Sequence, residues 1–352
     1  MIAYNYYMLN YFWLFALGII FSVTLTPLVK IVAYRFNVLD NPDHRKIHDN
    51  PIPLLGGIVI FLSVMLTLLF AGLVPREVLV IFLVSLIFVA FGLLDDAGIK
   101  IRARYKIWSH LAFSFLFVYL SGVYLDFFRI DLINWVLTAC FITFMTNSFN
   151  MLDGMDGLVT GITCIAAGFF FLFGITTNQV AVSMISIVIC GACLGFLRYN
   201  FNPATIFLGE AGSTLLGFLM AFLAIKLYVP ALWTIALNLK IANLSLVGFI
   251  IPLVLLGIPI FDTYFVFVNR FFHHVEFSTP GKDHSHHRIH LMGLSHKNTV
   301  LILYMVQIVL GLIAYGMVNS TIHQFFAMLG LLVILTIFAT VFLTQVKVYD
   351  TI

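Results

Sequence analysis

Five short polar segments carry most of the residue types that could do ionic chemistry. They lie between long apolar runs and cover residues 40–50, 95–106, 147–157, 198–213 and 270–297. Neighbouring segments are separated by two predicted membrane spans, or by a span, a short turn and another span, so all five are expected at one face of the bilayer. Asp, Glu, His, Lys and Arg gathered at one membrane face indicate ionic chemistry there.

The second segment begins with two adjacent carboxylates, Asp95 and Asp96, at the end of an apolar run. Such neighbours repel each other unless a cation or a proton compensates their charge, so the pair is one candidate for a functional site. A solvated turn at the membrane surface is the alternative, because basic counter-charges follow. These are Lys100, Arg102, Arg104 and Lys106.

The third segment repeats an Asp-Gly step after two asparagines. Its residues are Asn147, Asn150, Asp153-Gly154 and Asp156-Gly157. Glycine lets the backbone turn tightly and approach a ligand, while carboxylates and amides supply metal ligands or hydrogen bonds to a base. A plain turn is the alternative, since Asp-Gly is a common turn signal. The doubling at membrane depth favours a binding loop.

The fourth segment places Gly209, Gly212 and Ser213 at a predicted helix start, beside Glu210. Exposed N–H groups at a helix start suit a phosphate. Mg²⁺ usually takes one or two carboxylates plus substrate phosphates, so Glu210 is a candidate metal ligand. A capped helix with an acid in its first turn is the alternative.

The fifth segment is rich in histidine. It holds His273, His274, His284, His286, His287, His290 and His296. The spacing does not match the helical HExxH zinc pattern, and the neighbouring lysines and arginines favour an anion. We therefore predict that His284, His286 and His287 bind phosphate, and that His290 and His296 are structural.

Three further residues are candidates by position. Lys46 and His48 precede a Pro-x-Pro-x-x-Gly-Gly stretch and could reach a phosphate. Asp262 lies inside an apolar run, about two helical turns before Arg270. An acid within a span is a functional candidate by default, and pairing with a neighbouring helix is the alternative.

Composition excludes an ordinary soluble protein, which carries about 25% charged residues, because this chain is 62% apolar and 9% charged. We predict an all-α, polytopic membrane helix bundle forming a single domain over residues 1–352. About eleven transmembrane helices are expected. They cover residues 11–33, 54–74, 78–94, 107–125, 132–149, 158–176, 179–197, 212–229, 245–266, 299–317 and 322–344.

The basic residues orient the chain. An outside N-terminus and a cytoplasmic C-terminus leave few of the 18 Lys and Arg residues outside, namely Arg76, Arg129, Lys226 and Lys240. This positive-inside bias predicts that the five polar segments face the cytoplasm, near anionic lipid head groups. The net charge of +3 is too small to indicate nucleic-acid binding. Four cysteines within spans predict neither a disulfide framework nor a zinc site, and the first span is not expected to be a cleaved signal.

Along nearly the whole chain, these segments resemble the polyprenyl-phosphate N-acetylhexosamine-1-phosphate transferases, relatives of the phospho-MurNAc-pentapeptide translocases. Six motifs in the family's order carry the resemblance: His48-x-x-Pro51-x-Pro53-x-x-Gly56-Gly57, Asp95-Asp96, Asn147-x-x-Asn150-x-x-Asp153-Gly154-x-Asp156-Gly157, Phe207-Leu208-Gly209-Glu210-Ala211-Gly212-Ser213, Pro259-x-x-Asp262-Thr263 and His284-x-His286-His287. The Asp-His-x-His-His form is similar to the N-acetylglucosamine branch.

The resemblance implies transfer of N-acetylglucosamine-1-phosphate from UDP-N-acetylglucosamine to undecaprenyl phosphate with release of UMP. Another UDP-N-acetylhexosamine or UDP-MurNAc-pentapeptide is the alternative donor. The implied cofactor is Mg²⁺, and Mn²⁺ could replace it. The implied place is the bacterial inner membrane, with the product used for O-antigen lipopolysaccharide, teichoic acid or a related polymer. A homodimer and the choice between direct attack and a covalent intermediate stay open.

The resemblance also implies residue roles. Asp95 and Asp96 would activate or position the lipid phosphate, and Asp153 would support the metal ion. The three histidines would contact phosphates and sugar. Substrate-binding residues would be Lys46, His48, Asn147, Asn150, Asp156, Phe207 and Asp262, with Asp156 and Phe207 holding the uracil. The implied metal ligands are Glu210 and Asp153.

One residue departs from the family, which usually has Asp where this chain has Glu210. Because Mg²⁺ requires near-octahedral geometry, the longer side chain predicts retained but retuned activity. Two other protein classes are alternatives. A secondary transporter would show repeats with polar groups near the midplane, and a histidine-rich metal sensor or exporter would bind metal without the Asp-Gly loop.

Overall fold

The computed structural model describes residues 2–41, 50–72, 76–241, 243–276, 281–346 and 348, with side chains from residue 10 onward. Lys46 and His48, which we predicted to bind substrate, lie outside the described residues. Within these ranges the chain is almost entirely helical. A short antiparallel ladder pairs β1 (Leu39–Asp40) with β2 (Ile52–Pro53).

The helices follow one another with short connections. They are α1 Ile2–Arg35, α2 Gly56–Phe70, α3 Arg76–Asp96, α4 Ala103–Ser121, α5 Asp131–Leu152, α6 Leu158–Thr176, α7 Val180–Asn200, α8 Gly209–Lys226, α9 Trp233–Asn238, α10 Leu244–Gly248, α11 Ile250–Leu255, α12 Gly257–Phe272, α13 Ser285–Leu291, α14 His296–Val318 and α15 Ile322–Thr344. A 3₁₀ turn, Pro230–Leu232, precedes α9.

This architecture confirms the all-α, polytopic membrane class. Each of the eleven predicted spans coincides with helix, although the predicted span over residues 245–266 is broken into α10, α11 and α12. In the described part of the chain, eight helices are long and apolar enough to cross a membrane, or nine if the bent pair is one span. The shorter α2 and the more polar α4 do not meet that criterion, so the count of about eleven stays a prediction.

The break in the ninth predicted span has a local cause. The two halves, Leu244–Leu255 and Gly257–Phe272, meet at 83°. Pro259 has no N–H to donate to the carbonyl of Leu255 four residues before it. Buried Gln307 on α14 supplies the missing donor, with Nε2 2.9 Å from that carbonyl oxygen. A neighbouring helix therefore satisfies the freed backbone group, as a break at membrane depth requires.

Helix α8 lies at the centre of the bundle, and 89% of its residues are buried. It packs on α5, α3 and α2, and glycines on those contacts allow the backbones to approach closely. A Cβ added to Gly57 of α2 would lie 2.4 Å from the Gly212 nitrogen, and one on Gly92 of α3 would lie 2.5 Å from the Ala211 Cα. The N-terminal turn of α8 is therefore held tightly between α2 and α3.

Candidate active site

A cavity of about 530 Å³ collects residues from all five polar segments. One representative of each is Asp40, Asp96, Asp153, Glu210 and His287. These residues lie far apart in the sequence and come together only through the packing of the helices. The predicted convergence of the polar segments on a single cavity is confirmed for the described residues.

Asp96 closes the N-terminus of α8. Its Oδ1 accepts a hydrogen bond from the Glu210 N–H at 2.8 Å, and its Oδ2 accepts one from the Ala211 N–H at 3.0 Å. A carboxylate at a helix N-terminus is stabilised by the helix dipole. A side chain of α3 therefore caps these two amides, in agreement with the capped-helix alternative, and they are not available to a phosphate.

Lys106, in the first turn of α4, joins two carboxylates. Its Nζ lies 2.9 Å from Asp95 Oδ1 and also donates to Glu210 Oε2. Asp95 further accepts the Ile101 N–H at 3.2 Å. The sequence indicated Lys106 only as one of four counter-charges, and nothing in the spacing distinguished it from the other three. Its position on the cavity side of α4 depends on how that helix packs.

Three carboxylates that line the cavity, those of Asp96, Asp153 and Glu210, are candidate ligands for a divalent cation. Glu210 Oε1 is buried without a hydrogen-bond partner among the described atoms, and Asp96 and Asp153 line the same cavity. Burial raises the pKa of Asp153 to about 8, and the charges of Asp96 and Asp156 add to the effect. Hard oxygen donors that repel one another, with one orphaned oxygen, are the donor set that Mg²⁺ binds.

The second Asp-Gly step is anchored to the loop before α8. Asp156 Oδ2 accepts hydrogen bonds from Asn202 Nδ2 at 2.9 Å and from the Ala204 N–H at 3.0 Å. Phe207 is fixed through its backbone, since its N–H donates to Pro53 and its carbonyl accepts from Gly56. Both Asp156 and Phe207, the two residues to which the family resemblance gives a uracil-binding role, line the cavity.

The two asparagines of the third segment lie in different surroundings. Asn150 lines the cavity, and its Oδ1 accepts a hydrogen bond from Ser213 Oγ at 2.9 Å. Asn147, predicted to bind substrate, donates instead to the Thr143 carbonyl at 2.7 Å and contacts His110 Nδ1 at 3.2 Å. It is not among the residues that line the cavity. In this arrangement Asn147 joins α5 to α4.

The histidines are arranged in two layers. Of the three predicted phosphate ligands, His287 lines the cavity. His284 and His286 lie behind it, and His286 is fully buried against the first Asp-Gly step, because a Cβ added to Gly154 would lie 2.4 Å from His286 Nε2. His290, predicted to be structural, lines the cavity. His287 and His290 share one face because they lie three residues apart on α13, and His290 Nδ1 also contacts the Leu294 carbonyl oxygen at 2.6 Å.

Lys282 and His296 also line the cavity. His296 was predicted to be structural, but its ring lies 4.5 Å from that of His290, centroid to centroid. Asp262, predicted to bind substrate, is completely buried. It contacts His284 and Ser285 at the start of α13 and is not among the residues that line the cavity.

The protonation states of the histidines differ. Burial lowers the pKa of His287 to about 4 and the pKa of His286 well below its ordinary value. Burial opposes the charge on His284 as well, but the charge and hydrogen bond of Asp262 outweigh it and raise the pKa of His284. His287 is therefore neutral near neutral pH, burial favours the neutral form of His286, and Asp262 favours the charged form of His284.

Exchange of His284 for glutamine should destabilise the protein in a pH-dependent way. A histidine whose folded-state pKa exceeds its ordinary value of about 6.5 stabilises fully below that value and less as the pH rises through the folded-state pKa. If the free energy of unfolding decreases by about 1 kcal/mol at pH 5.5, the apparent melting temperature should fall by about 2–4 °C. The difference in melting temperature between His284→Gln and the native protein should become smaller towards pH 9. A larger difference at high pH would contradict a raised pKa for His284.

Known proteins are similar to this chain over most of its length. Residues 78–228 match the family model described as Glycosyl transferase family 4. A Bacillus subtilis (strain 168) protein named as a probable undecaprenyl-phosphate N-acetylglucosaminyl 1-phosphate transferase is 31% identical over 319 residues, 88% of this chain and 85% of the relative.

Two other relatives differ in their named acceptor or donor. A decaprenyl-phosphate N-acetylglucosaminephosphotransferase of Mycolicibacterium smegmatis is 28% identical, with 84% of this chain and 78% of the relative covered. A phospho-N-acetylmuramoyl-pentapeptide-transferase of Clostridium botulinum (strain Alaska E43 / Type E3) is 31% identical, with 61% and 72% covered. The Bacillus subtilis relative is 31% identical over 88% of this chain. The chain therefore belongs to glycosyl transferase family 4 and is one of its polyprenyl-phosphate N-acetylhexosamine-1-phosphate transferases.

Proposed function

We propose that the enzyme transfers N-acetylglucosamine-1-phosphate from UDP-N-acetylglucosamine to undecaprenyl phosphate, releasing UMP. The observation that carries the proposal is the single cavity in which Asp96, Asp153 and Glu210 lie beside Asp156 and Phe207. Carboxylates suited to a cation adjoin residues suited to a nucleobase, as a nucleotide diphosphate substrate requires. The name of the Bacillus subtilis relative, which covers most of this chain, supports the choice of sugar and lipid.

The proposed cofactor is Mg²⁺, held by Glu210 and Asp153. When bound, the ion would neutralise the diphosphate and stabilise the leaving UMP. The side chain of Asp96 also faces this cavity but is already held by two amides of α8. We therefore assign Asp96 to shaping the carboxylate cluster and to setting its charge.

The reaction exchanges one phosphorus–oxygen bond for another. An oxygen of the lipid phosphate bonds to the β-phosphorus of the UDP-sugar, and the bond from that phosphorus to the bridging oxygen breaks, so the bridging oxygen leaves with UMP. A phosphate monoester with a second pKa of about 6 is already ionised near neutral pH and needs no strong base. Direct attack is favoured over a phospho-enzyme, because Asp95 is paired with Lys106 and Asp96 is bound by amides.

The cationic and imidazole groups complete the proposed site. Lys282, His287, His290 and His296 line the cavity on the side of α13 and α14, where they can donate hydrogen bonds to phosphate and sugar oxygens. We assign the enzyme to the bacterial inner membrane with this cavity facing the cytoplasm. This location would give it UDP-sugars as donors for the first membrane step of a surface polysaccharide such as O-antigen or teichoic acid.

Removal of the Phe207 ring should weaken nucleotide binding selectively. Stacking of a base on an aromatic ring is worth about 1–3 kcal/mol by alanine substitution, so Phe207→Ala should raise the KM for UDP-N-acetylglucosamine by about tenfold or more. The backbone bonds of residue 207 to Pro53 and Gly56 are kept, and Phe207→Tyr serves as the matched control that retains a ring. Equal rises in the KM for both substrates would contradict a uracil subsite.

The function is tested directly with purified protein, labelled UDP-N-acetylglucosamine, undecaprenyl phosphate and Mg²⁺. A lipid-linked diphospho-sugar and an equal amount of UMP are expected. UDP-N-acetylgalactosamine and UDP-MurNAc-pentapeptide are tested in parallel, and product from one of these alone would reassign the donor. If no UDP-sugar gave a lipid product, the proposal would be overturned.

A further inference from the structure

We propose that Asp262 is a positioning residue that acts through His284 to fix the histidine segment against the cavity. The role rests on the proposed function in one respect, since it assumes that His287 contacts the substrate. It differs from the substrate-binding role that the sequence predicted for Asp262. The proposal concerns how α12, at the bend of the bundle, aligns a segment that carries no long helix of its own.

Both oxygens of the Asp262 carboxylate are engaged by His284 and Ser285. Its Oδ2 lies 2.7 Å from His284 Nδ1, and its Oδ1 accepts the Ser285 N–H at 2.8 Å and the Ser285 hydroxyl at 2.5 Å. A carboxylate can only accept, so His284 must carry its proton on Nδ1. The partner of one ring nitrogen fixes the state and orientation of the ring.

A second contact from the same helix holds the preceding residue. Arg270 Nε lies 2.7 Å from Asp283 Oδ2, and its second terminal nitrogen lies 2.8 Å from Oδ1. Both side chains are buried, and such bidentate pairs fix geometry as well as charge. Helix α12 therefore holds residues 283, 284 and 285 in succession, immediately where α13 begins.

The anchored residues 283–285 are connected to Asp153, a proposed metal ligand, and to His287, which lines the cavity. His286, next in sequence, is buried beside Gly154, the residue after Asp153. His287 follows and lines the cavity, with its ring 4.3 Å from that of His286. A shift of the His284 ring would therefore be transmitted to His287 and to the first Asp-Gly step.

A metal ion is the competing occupant of this cluster. Donor atoms of Asp262, His284 and His286 all lie within 4.8 Å of one another. Both carboxylate oxygens are, however, already engaged by three hydrogen-bond contacts, and His286 Nδ1 is 3.8 Å from Asp262 Oδ1. The hydrogen-bonded arrangement therefore accounts for Asp262 and His284 without an ion.

The principal test is Asp262→Asn. Asparagine offers one acceptor and one donor group to three donors, so the His284 ring should lose its fixed state. Loss of such a supporting partner typically costs 10–100-fold, and we expect kcat to fall by about that factor. The KM for UDP-N-acetylglucosamine should change by less than about threefold. The matched control, Ser285→Ala, removes one of the three contacts and should keep kcat within about threefold.

The path through His284 is tested by a double-mutant cycle. If Asp262 acts through His284, the double variant Asp262→Asn/His284→Gln should be no slower than the slower single variant. Multiplicative losses, or an Asp262→Asn enzyme with native kcat, would overturn the proposal. A stoichiometric transition metal in the purified protein that is lost on Asp262→Asn would overturn it in favour of a metal site.

A further measurement needs no folded Asp262 variant and no catalytic activity. ¹⁵N-histidine spectra of the native protein should show a His284 signal with a protonated Nδ1, identified by its loss in His284→Gln. A neutral ring protonated only on Nε2 would overturn the proposal. If the native protein formed no lipid product with any UDP-sugar, the proposed function would fail, while the ¹⁵N spectrum would still decide the role of Asp262.

Discussion

Exchange of Glu210 for glutamine should reduce kcat by about 10²–10³-fold, the range seen when one stabilising group is removed from a catalytic site. Glu210 Oε1 is buried and unpartnered, while Oε2 is bound by Lys106. Glutamine keeps the shape but removes the charge that a divalent cation requires. Because the ion should then bind more weakly, titration with Mg²⁺ should show half-maximal activity at a higher Mg²⁺ concentration than in the native enzyme.

The chain offers a matched control for this substitution. Glu77 also forms an ion pair with a lysine, Lys226, at 2.8 Å. That pair joins the far ends of α3 and α8, and the Glu77 side chain is 41% exposed. Exposed pairs contribute little to stability, so Glu77→Gln should leave turnover and metal dependence unchanged. A native-like Glu210→Ala enzyme would show that Glu210 is not a metal ligand.

The conservative variant asks a different question. Glu210→Asp restores the acid that the family usually carries and withdraws the carboxylate by one methylene from Lys106. We expect an active enzyme whose relative rates with Mg²⁺ and Mn²⁺ differ from those of the native protein. Unchanged turnover and unchanged metal preference would contradict the idea that Glu210 retunes the site.

Much of the fold followed from the sequence because hydropathy is a local property. All eleven predicted runs coincide with helix, and the parity of the spans predicted that Asp96, Asp153 and His287, which share one cavity, lie at one face of the bilayer. The break between α11 and α12 was harder to place. Its geometry depends on Gln307, which lies 52 residues beyond the Leu255 carbonyl that it satisfies.

The roles within the site were less predictable, because each depends on a partner distant in sequence. Asp96 binds amides 114 and 115 residues away, and no spacing rule connects them. Lys106 could not be distinguished from its basic neighbours. For His290 a signal did exist, since its spacing from His287 places both on one face of a short helix, but the helix itself was not predicted.

The contrast between Asp96 and Asp95 gives the second large expected effect. Asp96→Asn replaces a carboxyl group that accepts two N–H hydrogen bonds with a group that must turn an NH₂ towards one N–H of α8. Loss of a partner for a buried donor costs about 1–3 kcal/mol, and the helix dipole loses its counter-charge. We therefore expect both a measurable loss of stability and a fall in kcat of about 100-fold or more.

Asp95→Asn should separate these two effects. Asp95 is 27% exposed and contacts the Lys106 amine and the Ile101 N–H, so an amide there can be accommodated with little loss of stability. Melting temperature and kcat measured together for the two variants decide the matter. If both variants were equally destabilised, Asp96 would hold no special position at α8. If Asp96→Asn lost stability but kept its kcat, the carboxylate would serve only as a helix cap and would not tune the cation site formed by Asp153 and Glu210.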